Sequence, residues 1–255
     1  MWPMNPFALI FIGVLIAVLA VLLFNFRFLL LYPLLPGLNP MSNAVRISLN
    51  GPSLFISDLH LRADEHFRHS SSLRQFLETR HVSNLIVVGD LFDSPEDAEK
   101  IMSNDSPAPI ADTLGFDGLS LKVFFVQGSP PHDPKDLNIF SGTSVTSLGR
   151  CAILEINHLR VVAFHGHDLS WKGAIGHAWD RFLSSLSLER AWKRLAGVAD
   201  SDWVIFGHTH LPGIDEKHRV ANCGGWQPKA FLVHPACTGL FLSPEKESLE
   251  IVKFA

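Results

Sequence analysis

Between Ser53 and His210, short apolar runs rich in β-branched and aromatic residues keep ending on Gly, Asp or His. Leu54–Ser57 leads into Asp58-Leu59-His60, and Leu85–Val88 into Gly89-Asp90. Val123–Val126 leads into Gln127-Gly128, Arg160–Phe164 into His165-Gly166-His167-Asp168, and Trp203–Phe206 into Gly207-His208-Thr209-His210. Runs this short, bounded by Gly and polar residues, read as buried strands. The segments between them read as helices. Phe67–Arg80 places Leu73, Phe76 and Leu77 on one face, and Ser94 precedes Pro95–Met102 as an N-cap. Trp179, Phe182, Leu183 and Leu186 have helical spacing, and Leu188–Ala196 continues as a further helix. Strands alternating with helices predict a layered α/β domain. The tail has strand-like segments at Arg219–Asn222, Ala230–Val233 and Leu249–Phe254 without long helices between them. That predicts a mixed sheet, or two sheets packed together.

In open α/β sheets, ligands gather beyond the carboxyl ends of the strands. Here Asp58, His60, Asp90, His165, His208 and His210 all follow predicted strands, so folding brings together residues far apart in sequence. Carboxylate and imidazole donors suit divalent ions such as Mn²⁺, Fe²⁺ and Zn²⁺. Six of them exceed the needs of one four-coordinate ion and suit a pair sharing a carboxylate. His167 alternates with His165 and points elsewhere. Asp93 reads as a cap for the segment that follows it.

The N-terminus is of another kind. Phe7–Phe24 is apolar and uncharged, and no Lys or Arg precedes Arg27. With Phe26 it reaches the roughly 20 residues of a membrane span and shows no polar face. It is longer than a signal-peptide core and lacks the basic start. Arg27 and Arg46 follow the segment, which places the rest of the chain on the cytoplasmic side of a cell membrane, after a single pass. Phe28–Leu35, with Tyr32, is expected at the interface. Pro33, Pro36, Gly37 and Pro40 read as a linker. The expected organisation is an anchor and linker over residues 1–45 and one domain over 46–255. The domain's roughly 210 residues can bury a sizeable core.

A net charge of −4 argues against a broad basic surface for nucleic acid. The three cysteines, Cys151, Cys223 and Cys237, are too few and too scattered for a disulfide framework or a zinc site and read as buried thiols. Four tryptophans, Trp171, Trp179, Trp192 and Trp203, allow two readings: core packing, or a helical cap that meets an apolar substrate or the bilayer. Lys172, Arg181, Arg190, Lys193 and Arg194 lie in the same stretch, where they could meet phosphates.

The order DLH, GDLFD, a Gly-containing loop, HGH and GHTH, over Ser53–Trp226, resembles the calcineurin-like metallophosphoesterase family. The resemblance implies a four-layer sandwich, two mixed sheets flanked by helices. It implies that Asp58, His60 and His210 hold a first metal, that Asp90 bridges, and that His165 and His208 hold a second. Manganese is the first expectation, with Fe²⁺, Zn²⁺ and Mg²⁺ as alternatives. Within the family the pattern is most similar to the branch of UDP-2,3-diacylglucosamine pyrophosphatases, through ISDLHL, GDLFD, FHGH and Asn222-Cys223-Gly224-Gly225-Trp226. That implies a phosphoester or pyrophosphate substrate, with a lipid-linked one suggested by the N-terminal segment. The family's Gly-Asn-His-Asp/Glu motif reads here Gly128-Ser129-Pro130-Pro131-His132-Asp133. The expected catalytic residue is His132, held by Asp133, with Ser129 in the place of the Asn ligand. Because the Asn is missing, a degenerate interaction module stands as the alternative, and a nuclease as a third reading.

Overall fold

The computed structural model describes residues 6–27, 31, 35, 38–103, 108–168, 170, 173–182, 185–227, 235–243, 245–246 and 248–254. The expected strand Ala230–Val233, the interfacial Tyr32, the linker residues Pro33, Pro36 and Gly37, and Trp171, Lys172 and Leu183 lie outside them.

The strands run β1 (Val45–Leu49), β2 (Ser53–Ile56), β3 (Asn84–Val88), β4 (Lys122–Val126), β5 (Val145–Ser147), β6 (Cys151–Ile156), β7 (Leu159–Phe164), β8 (Trp203–Phe206), β9 (Gly213–Asp215), β10 (Val220–Asn222), β11 (Thr238–Leu242) and β12 (Leu249–Lys253). They form two six-stranded sheets, ordered β12-β11-β2-β3-β4-β5 and β1-β6-β7-β8-β10-β9. Both are mixed. β2 through β5 are parallel to one another, whereas β11 meets β2 antiparallel. In the other sheet β7, β8 and β10 are parallel, and β6 and β9 run against their neighbours β7 and β10.

Successive strand residues face opposite sides, and this alternation builds the layers. Phe55, Ile86, Val88 and Phe124 pack inward against Leu154, Val161, Ala163 and Ile205 of the other sheet. Their neighbours Leu54, Ile56, Leu85, Val87 and Phe125 face outward. There they bury Leu73 and Leu77 of helix α2 (Ser70–Thr79), Ala98 and Ile101 of α3 (Pro95–Met102), and Ile110 and Leu114 of α4 (Pro109–Leu114). On the far side Val162, Phe164, Val204 and Phe206 pack on Leu188 and Trp192 of α6 (Ser187–Leu195). Trp192 is fully buried and stacks on Phe164 at 4.7 Å, so Trp192→Ala costs about 3–5 kcal/mol. Ser94 caps α3, its hydroxyl accepting from Asp97 N at 3.1 Å. The result is the expected arrangement of two mixed sheets flanked by helices.

Two expectations need correction. The helix placed over Trp179–Leu186 is α5 (Gly173–Phe182), and Leu186 has φ 58 in the turn before α6. The N-terminal helix α1 spans Pro6–Asn25, but among the described residues no helix is long and apolar enough to cross a membrane. The C-terminal end of the expected span belongs to the domain: Asn25 is buried and Phe26 packs edge-on against Trp179 at 5.0 Å. Met41 and Ala44 pack on the same cluster.

Candidate metal centre

β2, β3 and β4 deliver their carboxyl ends side by side in one sheet, and β7, β8 and β10 do so in the other. The backbone leaving them is tied together. Asp58 N donates to Gly89 O (3.1 Å), Gly207 N to His165 O (3.0 Å), Trp226 N to Asp58 O (3.0 Å) and His208 N to Asp58 Oδ2 (2.9 Å). This brings the six expected ligands into two groups, Asp58 with His60 and His210, and Asp90 with His165 and His208. Within each group the donor atoms lie within 4.8 Å of one another. All six residues are buried.

Asp58, His60, Asp90, His208 and His210 all have positive φ, between 47° and 67°. A left-handed backbone is uncommon for residues other than Gly and costs about 1–3 kcal/mol, persisting where the surroundings over-determine it. Glycine makes room behind them. A Cβ on Gly225 would stand 2.5 Å from His210 Nδ1, and one on Gly89 would overlap the His165 ring.

The electrostatics favour a cation. Burial raises the Asp58 and Asp90 carboxyls, but neighbouring imidazoles, chiefly His210 and His165 respectively, hold both well below the usual carboxylate range. Burial pushes His60 down to about 4 against the pull of Asp90 and Asp58. Burial also works against a charged His165, but Asp90 and Asp58 outweigh it and push its pKa up to about 9. His165 Nδ1 lies 2.9 Å from Val88 O and donates to it, which fixes Nε2 as the lone-pair nitrogen of the neutral ring. His208 Nε2 is tied to Ser170 O at 2.8 Å. Asp58 Oδ1 and His210 Nε2 stand 3.0 Å apart, and Asp90 Oδ2 and His165 Nε2 stand 3.2 Å apart. Asp58 Oδ1 and His165 Nε2 are nevertheless buried without a hydrogen bond of good geometry. A buried polar atom left so costs about 1–3 kcal/mol, and divalent ions between these donors remove that cost. The residues fit the metals.

Ser129 stands on Asp90. Its amide and hydroxyl donate to Oδ1 at 2.6 and 2.7 Å, and the hydroxyl lies 2.9 Å from Oδ2. Asp133 does not hold His132, contrary to expectation. It is buried and accepts from Asp90 N (2.8 Å), Leu91 N (2.9 Å) and Gly128 N (2.6 Å), clamping two ligand loops. Burial and the Asp90 charge push Asp133 up to about 7. His132 is held by Asp93 instead: its Nδ1 lies 2.8 Å from Asp93 O, and its ring meets His60 edge-on at 4.4 Å. Asp93 is thus not the cap, a role taken by Ser94. Its carboxylate lies 3.7 Å from His60 Nδ1 and 3.3 Å from Arg62.

Residues behind the site complete it. Ser57 Oγ lies 2.7 Å from Asp58 Oδ2. Asn222 Nδ2 lies 2.7 Å from Gly207 O and 3.0 Å from Glu189 Oε1, bracing the GHTH loop. Asn222 carried a sequence signal in the Asn-Cys-Gly-Gly-Trp segment; Glu189 carried none. Lys193 and Arg190 are occupied elsewhere. Lys193 Nζ donates to Asp202 O and His218 O, both at 2.7 Å, and Arg190 pairs with Asp215 at 2.9 Å. Trp192 and Trp203 are core residues, not a cap. Cys151, Cys223 and Cys237 are buried free thiols.

Residues 53–243 match the model of the calcineurin-like phosphoesterase superfamily domain. The chain belongs to this superfamily. No curated protein sequence matches it. Among solved structures, this chain is similar to Vps29 from Entamoeba histolytica, solved with zinc. The two are 16% identical over 79% of this chain and 97% of that one, with a TM-score of 0.46. It is similar to an archaeal phosphodiesterase (16% identical, 79% and 98% covered, TM-score 0.45) and to the E. coli phosphoesterase YfcE (14%, 80% and 100%, 0.41).

Proposed function

We propose that this member of the superfamily hydrolyses a phosphoester or pyrophosphate bond with two divalent ions, manganese first among them. Asp58, His60 and His210 would hold one ion, His165 and His208 the other, and Asp90 both. The observation that carries the reading is the convergence of six buried Asp and His donors, five of them on left-handed backbone. When bound, such ions supply a water of lowered pKa and stabilise charge on phosphoryl oxygens. The chain's own residues orient the reaction. His132, fixed at Nδ1 by Asp93 O, would as an imidazolium donate from Nε2 to a phosphoryl oxygen or pass that proton to the leaving-group oxygen. Asp133 keeps the Asp90 and Gly128 loops in register. With Mn²⁺, the purified chain should release nitrophenol from bis-p-nitrophenyl phosphate, and Asp90→Ala should remove nearly all of this activity; an Asp90→Ala variant with wild-type activity overturns the assignment.

Association with the cytoplasmic face of a membrane, and with it a lipid-linked substrate, belongs to the same proposal. It is supported by α1, where most of the large apolar side chains between Ile10 and Phe24 are exposed, and by the position of Arg27 and Arg46 after it. Co-flotation with anionic vesicles tests it, and a chain that stays at the bottom of the gradient contradicts it. One observation favours a second reading, the module of impaired catalysis: Ser129, in the place of the Asn ligand, spends its hydroxyl on Asp90. Absence of turnover together with fewer than one bound ion per chain decides for it.

A further inference from the structure

Beside the first ligand group lies a cleft of about 440 Å³ that the six-residue centre does not use. His60, Arg62, Glu65, Arg68, Asp93 and Trp226 are among the residues that line it. Its charges are not equivalent. Arg62 is spent on Glu65 at 2.9 Å and Asp93 at 3.3 Å. Arg68 is exposed and in no ion pair among the described residues. Helix α2 begins immediately after His69, another lining residue. No side chain caps its N-terminus and no acid sits in its first turn, so the positive end of its dipole is uncompensated beside the cleft. Arg68 and this helix end are independent sources of positive potential beside a cavity whose lining includes His60, an expected metal ligand.

We propose that this cleft binds the part of the substrate beyond the scissile phosphorus, and that this part is itself anionic, with Arg68 as the residue that selects for it. The proposal rests on the phosphoesterase reading above and narrows its substrate class to esters or anhydrides whose remote group carries a second phosphate or comparable anion. Arg guanidinium pairs with such oxyanions in a two-pronged geometry that Lys reproduces only as a point charge.

The test compares two probes on the full chain with Mn²⁺: bis-p-nitrophenyl phosphate, whose remote group is neutral, and ADP-ribose, whose remote group is anionic. In Arg68→Ala the ratio of KM for ADP-ribose to KM for bis-p-nitrophenyl phosphate should rise about tenfold, the loss of one charge-assisted hydrogen bond. Arg68→Lys should recover part of that rise. An unchanged ratio, whether both constants move together or neither moves, overturns the proposal. So does a wild-type chain that cleaves bis-p-nitrophenyl phosphate but neither cleaves ADP-ribose nor is inhibited by it. A chain that cleaves neither probe under any divalent metal brings down the phosphoesterase reading itself, and the cleft's role with it.

Discussion

The two ligand groups use the same residue types and differ in how they are held. In the Asp58 group, His60 has its pKa pushed down by burial to about 4 and is neutral near pH 7, ready to donate a lone pair. The Asp58 carboxylate is anchored from behind by Ser57 and His208 N. In the Asp90 group, His165 is pushed up to about 9, so a proton occupies the place of a metal. Ser129 puts two donors on Asp90 where the family has an Asn ligand. Each half has a carboxylate–imidazole contact that an ion must open, Asp58 with His210 and Asp90 with His165; only the Asp90 half must also give up the Ser129 hydrogen bonds. The difference predicts unequal affinities, a tight first site and a weaker second one.

Asp90→Ala attacks what the two halves share. It should remove the second ion, weaken the first and lower kcat/KM on the order of 10³-fold, more than the 10- to 100-fold loss typical of residues one step behind a metal ligand. Steady-state kinetics with metal analysis reads this. Ser129→Asn should narrow the inequality instead, tightening the weaker site about tenfold by restoring an amide oxygen. Calorimetric titration with Mn²⁺ resolves the two sites, and an unchanged weak site shows that the loop keeps the side chain out of reach.

The halves should also part with pH. His165 has its folded pKa raised above the unfolded value of about 6.5. In the metal-free chain its contribution to stability is therefore full below about 6.5 and is lost as pH rises through about 9. Metal binding runs the other way, because the ion must displace that proton. Affinity of the weaker site should rise about tenfold per pH unit well below pH 9 and level off above it, while His60 adds no such slope to the tighter one. The smallest expected effect is that of Asp93→Asn. The carboxylate stands 3.7 Å from His60 and is partly exposed, so its loss should weaken the first site a few-fold, at the low end of the usual range. His132 keeps its backbone partner in this variant.

The parallel strands that carry the site were legible because they are buried on both faces and end on Gly, Asp or His. β1 was not. It is an edge strand with the mostly exposed pattern of Val45–Ser48, and its pairing with β6 is settled by tertiary contact. β6 and β11 are buried, but no ligand follows them. The six donors could be read from sequence because metal chemistry demands particular residue types. The roles of Asp133 and Asp93 could not, because they depend on backbone groups about 40 positions away. The proline pair in the 128–133 loop drew attention to His132 without revealing that Asp133 turns inward. At the N-terminus, periodicity alone could not show that Asn25 and Phe26 leave the apolar run to pack on the domain.

Calorimetric titration of Mn²⁺ into the metal-free full-length chain at pH 8 tests the central claim most directly. The account predicts two ions per chain with clearly separated affinities, and loss of the weaker one in Asp90→Ala. Binding of fewer than one ion per wild-type chain would contradict it.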